Sequence, residues 1–340
     1  LARWLRAQTG GRRLTMAGGT ALNCVANTRI LEESGYDDLW VQPAAGDAGT
    51  ALGAALWVDA RERREAGAPA SRRTSGAGSA PRHGSAPGKG SGEGSGEGSG
   101  EAIGAGVDAG SGAPVGGRML APRRCTMEHV YLGPEYSDET IGNLLDWAKL
   151  RYRRFEAVSQ LADATAVLLA RNLIVGWYQG RMEYGPRALG ARSILASPID
   201  PAMQVKLNEL KDREDFRPVA PAILQEELGR WFSPAAANGG VSPFMLFVYD
   251  VLPGQAERIP SACHTDGTAR VQSVSADTNP RFHALLRAFE RRTGVPVLVN
   301  TSFNVRGQPV VCTPRDAIEA FFSTPLDALA IGSFLVEKPA

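Results

Sequence analysis

Residues 173–198 read LIVGWYQGRMEYGPRALGARSILASP. The apolar run Leu173–Tyr178 enters a loop studded with glycines, and a second apolar run leaves it at 193–197. Short apolar runs bounded by glycine are the pattern of buried strands, too short for helices. Working outward, the spacing predicts further strands at 219–224, 244–251, 270–275, 295–301 and 328–336. Helices are predicted between them at 138–150, 159–171, 200–210, 224–232, 280–293 and 314–323. The last is well marked: Thr313 is placed to cap it, Pro314 takes its first position, and Gly294 stops the helix before it. Alternating strands and helices of this kind define an α/β or α+β sheet domain.

Ahead of this domain lies a shorter piece. RRLTMA at 12–17 runs into Gly18-Gly19, and a helical pattern follows from Thr20 to Glu33 until Gly35 closes it. Asp38–Gln42 reads as a strand, and a second helix is expected from about Ala48 to Arg61. Gly18-Gly19 lets a backbone approach a phosphate at the start of a helix, with Asn23 one turn further on as a hydrogen-bonding partner. The same residues also make an ordinary tight turn and cap. Asp47 is open to two readings, a helix N-cap or a hard oxygen ligand for a metal.

Between the two pieces the composition changes. Residues 66–117 hold 17 of the 39 glycines in the chain, no aromatic residue, and only Ile103, Val107 and Val115 as large aliphatics. Such a stretch buries too little apolar surface to offset its ordering entropy. The expected organisation is therefore an N-terminal piece at 1–61, a disordered low-complexity insertion at 62–123, and a C-terminal domain at 124–340. The chain of 340 residues carries a formal net charge of +1, which argues against broad electrostatic capture of nucleic acid. No apolar run is long enough to span a membrane. Four scattered cysteines without a CxxC pair read as reduced thiols, and a cytoplasmic location is expected. The chain opens on Leu1 with its first methionine at Met16, which suggests a missing upstream part.

The chemistry falls in four loops of the C-terminal domain. They are 180–190 with Arg181 and Arg187, 211–218 with Lys211 and Arg217, 264–270 with His264 and Arg270, and 300–304 with Asn300 and Ser302. They offer guanidinium forks, an ammonium and short hydrogen-bonding side chains, but no nucleophile–base pair and no metal cluster. That inventory suits a small substrate bearing phosphate, because arginine grips phosphate bidentately and lysine adds a point charge. The alternative for each cation is a solvated surface charge. His264 reads either as a general acid or as a satisfied loop histidine.

Seven ordered segments then carry a resemblance. They are GGTALNCVANTRI (18–30), VQPAAGDAGTALGAAL (41–56), MEHVYLGPEYSDETI (127–141), RMEYGPRALGARSILASP (181–198), NELKDREDFRPVAPAIL (208–224), HTDGTARVQSV (264–274) and NTSFNVRGQPVV (300–311). They resemble the O-carbamoyltransferases of nodulation and antibiotic biosynthesis, of the tobramycin carbamoyltransferase type. The resemblance implies that 1–61 is the C-terminal part of an actin-like ATPase-fold transfer domain. It implies that 124–340 is a YrdC-like α/β domain with a twisted sheet, which makes carbamoyladenylate from ATP (with Mg) and carbamoyl phosphate. The carbamoyl group then passes to a hydroxyl acceptor in the transfer domain.

By the same resemblance, Gly18, Gly19 and Asn23 contact nucleotide, and Asp47 is a ligand of Fe(II) in the complete protein. Arg187, Lys211, Arg217, Arg270, Asn300 and Ser302 surround carbamoyl phosphate or the adenylate, with the four cations in the catalytic role. The family's paired-histidine motif is not in this sequence, so the first lobe is expected to be missing. The competing readings are a non-catalytic remnant or partner subunit and, less favoured, a factor of the tRNA threonylcarbamoyl type.

Overall fold

The computed structural model describes residues 1–67, 127–233 and 240–338. Residues 1–52 and 125–340 form one compact unit, and residues 53–124 a second. Most of the expected insertion, from residue 68 to its end at 123, lies outside the described residues.

The first piece opens with α1 (Ala2–Thr9), an unforeseen helix that buries none of its residues. Then come β1 (Arg13–Met16), α2 (Cys24–Glu33) and β2 (Asp38–Val41), the two strands parallel in a sheet of their own. The expected helix from Thr20 starts later. Gly19–Leu22 is a 3₁₀ turn, and Asn23 caps α2 by accepting from the Ala26 amide at 3.1 Å. Helix α3 (Thr50–Gly67) follows a 3₁₀ turn at Asp47–Gly49 and runs six residues past its expected end at Arg61.

In the second stretch the chain passes through α4 (Asp138–Trp147), β3 (Arg153–Arg154), α5 (Val158–Ala170), β4 (Val175–Tyr178) and β5 (Arg192–Ala196). It continues through α6 (Met203–Leu210), β6 (Ala220–Leu224), α7 (Leu228–Trp231), β7 (Phe232–Ser233), β8 (Tyr249–Val251), β9 (Thr268–Ala269) and β10 (Gln272–Val274). It ends with α8 (Pro280–Thr293), β11 (Val297–Ser302), α9 (Pro314–Phe322), β12 (Ala328–Ile331) and β13 (Phe334–Glu337). Eight strands make one mixed sheet in the order β10-β6-β11-β5-β4-β12-β13-β3, and β7-β8-β9 form a small antiparallel sheet. Only β10–β6 and β4–β12 are parallel pairs in the large sheet. The fold is therefore mixed α/β around one large sheet, with α5 and α8 packed on each other. Strands β4 and β6 are buried along their whole length, as their continuous apolar pattern requires, and β5 is buried throughout although it opens on Arg192 and Ser193.

Two expected strands are corrected. The run 328–336 is a hairpin, because Gly332 takes φ +55° and turns the chain between β12 and β13. The run 244–251 is a strand only at Tyr249–Val251. Met245 has φ +55°, and side chains of α2 take over part of the ladder's hydrogen bonding. Asn27 Nδ2 donates to Leu246 O at 3.0 Å, and Thr28 Oγ1 both donates to Val248 O at 3.2 Å and accepts from Val248 N at 3.0 Å. Asn27 is fully buried. The first piece is thus stitched to the second through its own helix.

Gly190, at the end of the glycine loop, has φ +98°, and a Cβ there would stand 2.2 Å from the Phe282 ring. Its carbonyl accepts from Trp177 Nε1 and Asn279 Nδ2. In the same loop the buried carboxylate of Glu183 accepts from the amides of Leu189, Ala191 and Arg192. The loop is fixed before any ligand arrives.

Candidate anion site

Lys211 caps the end of α6 and is only 8% exposed. Its Nζ donates to Ser302 O at 2.6 Å, Asn304 O at 3.0 Å, Asn304 Oδ1 at 2.5 Å and Ser302 Oγ at 3.2 Å. Burial, with help from nearby Arg213, pulls the ammonium down to about 7. Among the described residues no carboxylate pairs with it. Arg213 donates from Nε to Asn208 Oδ1 at 2.7 Å, while its Nη2 is buried without a partner.

Both residues line an open cavity of about 430 Å³, together with Arg217, Ser302, Asn304 and Arg306. Two of its cations are already neutralised. Arg217 pairs with Glu214 at 2.8 Å and Arg306 with Asp212 at 2.8 Å, both pairs well exposed. Lys211 and Arg213 are left as the uncompensated charges of the cavity.

A second group stands behind them. Arg270 is held down to about 10 by burial first and by the neighbouring Arg187 next, with Arg213 acting in the same direction. Arg187 is lowered by burial as well. Each guanidinium has a buried Nε with no partner. Cys24, the first residue of α2, is the one group acting on them in the opposite direction. Arg187 and Arg270 crowd together with no carboxylate acting on either and with an orphan donor on each, an arrangement that suits an anion. Arg187 also donates from Nη2 to Leu22 O at 3.1 Å, so the arginine loop touches the turn that follows Gly18-Gly19.

The expected residues are therefore distributed as follows. Lys211, Arg217 and Ser302 share the cavity, and Arg187 and Arg270 share the deeper cluster. Asn300 sits two residues below Ser302 on β11, is 1% exposed, and spends its Nδ2 on Gln272 Oε1 at 2.7 Å and on Ala188 O at 3.3 Å. Its Oδ1 is buried without a partner, and it does not line the cavity. Gly18 and Gly19 are exposed, and the Gly18 amide donates to Ala45 O at 2.8 Å. The oxygen of Asn23 is engaged as a cap, leaving its amide nitrogen for any nucleotide.

Arg213, Asn304 and Arg306 were not singled out from the sequence as site residues. The signal was available, since Arg213 and Asn304 lie inside two of the basic loops and Arg306 follows two residues later.

Asp47 is not gathered with other metal ligands among the described residues. It is exposed, it begins a 3₁₀ turn whose N-cap is Gly46, and its side chain caps nothing. Among the described residues no three His, Cys, Asp or Glu side chains gather as metal ligands. No helix among them is long and apolar enough to cross a membrane.

The structure is a mixed α/β protein with a cluster of cations that lack carboxylate partners. Comparison with known proteins is more specific. Residues 166–338 match the sequence model of the carbamoyltransferase C-terminus, and residues 2–56 match that of the carbamoyltransferase N-terminus. The chain belongs to the carbamoyltransferase family.

Among its relatives, nodulation protein NolO of Bradyrhizobium diazoefficiens is 35% identical over 98% of this chain and 50% of its own length. Nodulation protein NolNO of Sinorhizobium fredii is 35% identical over 97% of this chain and 40% of its own length. An uncharacterized protein of Synechocystis is 37% identical over 98% of this chain and 49% of its own length. The chain thus spans about half the length, or less, of these relatives. Because part of it matches the N-terminal model, the expectation that the first lobe is missing is unsupported.

Two solved structures are distantly similar. Full-length HypF in its phosphate- and nucleotide-bound form has a TM-score of 0.37 at 17% identity, covering 54% of this chain and 22% of HypF. Sua5 of P. abyssi complexed with L-threonine has 0.37 at 15%, covering 53% of this chain and 48% of Sua5. Likeness at this level is too weak to assign the fold.

Proposed function

We propose that this chain binds carbamoyl phosphate and ATP and forms carbamoyladenylate, as the activating part of an O-carbamoyltransferase. The observation that carries the reading is the uncompensated cation set of Lys211, Arg213, Arg187 and Arg270. Carbamoyl phosphate is small and dianionic, and it needs several converging donors. Family membership names the group transferred.

In this reading water attacks the carbamoyl carbon, the bond to phosphate breaks, and carbamate is released. A carbamate oxygen then attacks the α-phosphate of ATP, which enters as its magnesium complex, and pyrophosphate leaves. Fixed guanidinium groups oppose the charge that develops on the departing phosphate in the first step and at the α-phosphorus in the second. Residues 124–340 would house these steps as a YrdC-like domain, and 1–61 would belong to an actin-like transfer domain that delivers the carbamoyl group to a hydroxyl acceptor. No step is assigned to iron.

The test is pyrophosphate release from ATP by the whole chain, with and without carbamoyl phosphate. Release that depends on carbamoyl phosphate is expected. Equal release in both conditions, or none in either, overturns the reading.

A further inference from the structure

Asn300 and Ser302 are alternate residues of β11, so their side chains stand on one face of the large sheet, about 7 Å apart along the strand. Ser302 lines the cation cavity, and Asn300 lies one step deeper on the same face. Strand register sets Asn300 opposite Ala220 on β6 and Leu195 on β5. Across β6, its Nδ2 donates to Gln272 Oε1 at 2.7 Å, and Gln272 follows Arg270 by two residues. The same Nδ2 donates to Ala188 O at 3.3 Å, and Ala188 is the residue after Arg187. Direct hydrogen bonds therefore tie Asn300 to both segments that carry the deep arginines.

These bonds also fix which way the amide faces. A main-chain carbonyl only accepts, so the atom turned toward Ala188 O is nitrogen. Gln272 is oriented by the same logic: its Nε2 donates to Leu189 O at 2.8 Å, which leaves Oε1 for Asn300. Both protons of Asn300 Nδ2 are thereby used. Its Oδ1, a pure acceptor, is buried with no partner. A buried acceptor left unpaired is destabilising, and its place in the fold calls for a donor.

The other buried orphans of this region are donors: Arg187 Nε, Arg270 Nε and Arg213 Nη2. A phosphate group supplies acceptors for all of these and no amide proton for Oδ1. A ligand that completes the whole set carries an anionic group and, a short distance from it, an N–H.

We propose that Asn300 Oδ1 accepts a hydrogen bond from the –NH2 of the carbamoyl group, and that Asn300 thereby selects carbamoyl phosphate over other acyl phosphates. The inference rests on the carbamoyl phosphate reading above. The phosphate oxygens take the guanidinium donors, and the carbamoyl nitrogen gives one proton to Oδ1. The methyl of acetyl phosphate is close to –NH2 in size but has no proton to give. It would bury Oδ1 against carbon.

The experiment uses two stable analogues that differ only in this group. Phosphonoacetamide is carbamoyl phosphate with a methylene in place of the bridging oxygen, and acetonylphosphonate carries CH3 where phosphonoacetamide carries NH2. Calorimetric titration of the whole chain with each, and with inorganic phosphate, gives the three Kd values. Wild type is expected to bind phosphonoacetamide at least about tenfold more tightly than acetonylphosphonate. In Asn300→Ala that ratio is expected to fall to about one, with the Kd for inorganic phosphate little changed.

The wild-type ratio decides the question even where Asn300→Ala folds poorly. Equal affinity of wild type for the two analogues overturns the role of Asn300, as does a folded Asn300→Ala that keeps the wild-type ratio. Both results leave the carbamoyl phosphate reading standing. A wild type that binds neither analogue overturns that reading and this inference with it.

Discussion

At the scale of single residues, burial separates cations that sequence reading treats alike. Arg217 is exposed and held by Glu214, whereas Arg270 is enclosed with an unpartnered Nε. Loss of a charge-assisted contact costs about 1.5–3 kcal/mol, roughly ten- to a hundredfold. An exposed pair is typically worth about 1 kcal/mol or less. Arg270→Ala is therefore expected to raise KM for carbamoyl phosphate at least tenfold and Arg217→Ala by a few-fold, measured on folded variants. Comparable effects would show that the two groups meet the ligand equally.

Lys211 gives a pH prediction. Its ammonium is lowered to about 7, so between about 7 and the ordinary lysine value the unfolded chain holds a proton that the folded chain lacks. By linkage, this group makes stability rise with pH across that window, and Lys211→Met is expected to flatten the rise in urea titrations at pH 7 and pH 9. A bound dianion restores the charge. Calorimetric titration with inorganic phosphate above pH 7 should therefore show proton uptake, absent in Lys211→Met.

At the scale of elements, the glycine loop between β4 and β5 is the most constrained connection. Gly190→Ala forces a side chain into positive φ and into the Phe282 ring. Strain of about 1–2 kcal/mol adds to overpacking of about 1–3 kcal/mol. A loss of roughly 2–5 kcal/mol is expected in chemical denaturation. A variant within 1 kcal/mol of wild type would mean that α8 moves aside freely, by about the scale of a tolerated core change.

Elements with local markers were legible in the sequence. Helix α9 has Thr313 and Pro314 at its start, and α8 ends on Gly294 in the left-handed conformation. Strands β4, β5, β6 and β11 were legible as apolar runs. The stretch 244–251 was not, because its hydrogen bonding depends on Asn27 and Thr28, more than two hundred residues away in sequence. The site was half legible. The basic loops announced it, but burial decides which cations lack partners, and burial is a property of the assembled sheet. Arg213 and Asn304 gain their roles only when the end of α6 meets the end of β11.

At the scale of the whole molecule, the two pieces on either side of the low-complexity stretch behave as one body. Asn27 gives its two amide protons to Ala21 O and Leu246 O, and both acceptors lose that partner in Asn27→Leu. A cost of about 1–3 kcal/mol is expected for the unsatisfied carbonyls. Hydrogen-exchange protection should fall together in residues 13–41 and 245–249, whereas loss in one segment alone would mean that the pieces are independent. The grip is reinforced at the glycine loop, where Tyr184 OH donates to Ala48 O at 2.6 Å and Arg187 reaches Leu22 O. These bonds hold the pieces together by contact, whatever the covalent path between them. A tether of some sixty residues adds only an effective concentration in the millimolar range or below. Genes encoding 1–67 and 127–340 separately should then yield a complemented heterodimer, in which the connecting stretch has become dispensable for assembly.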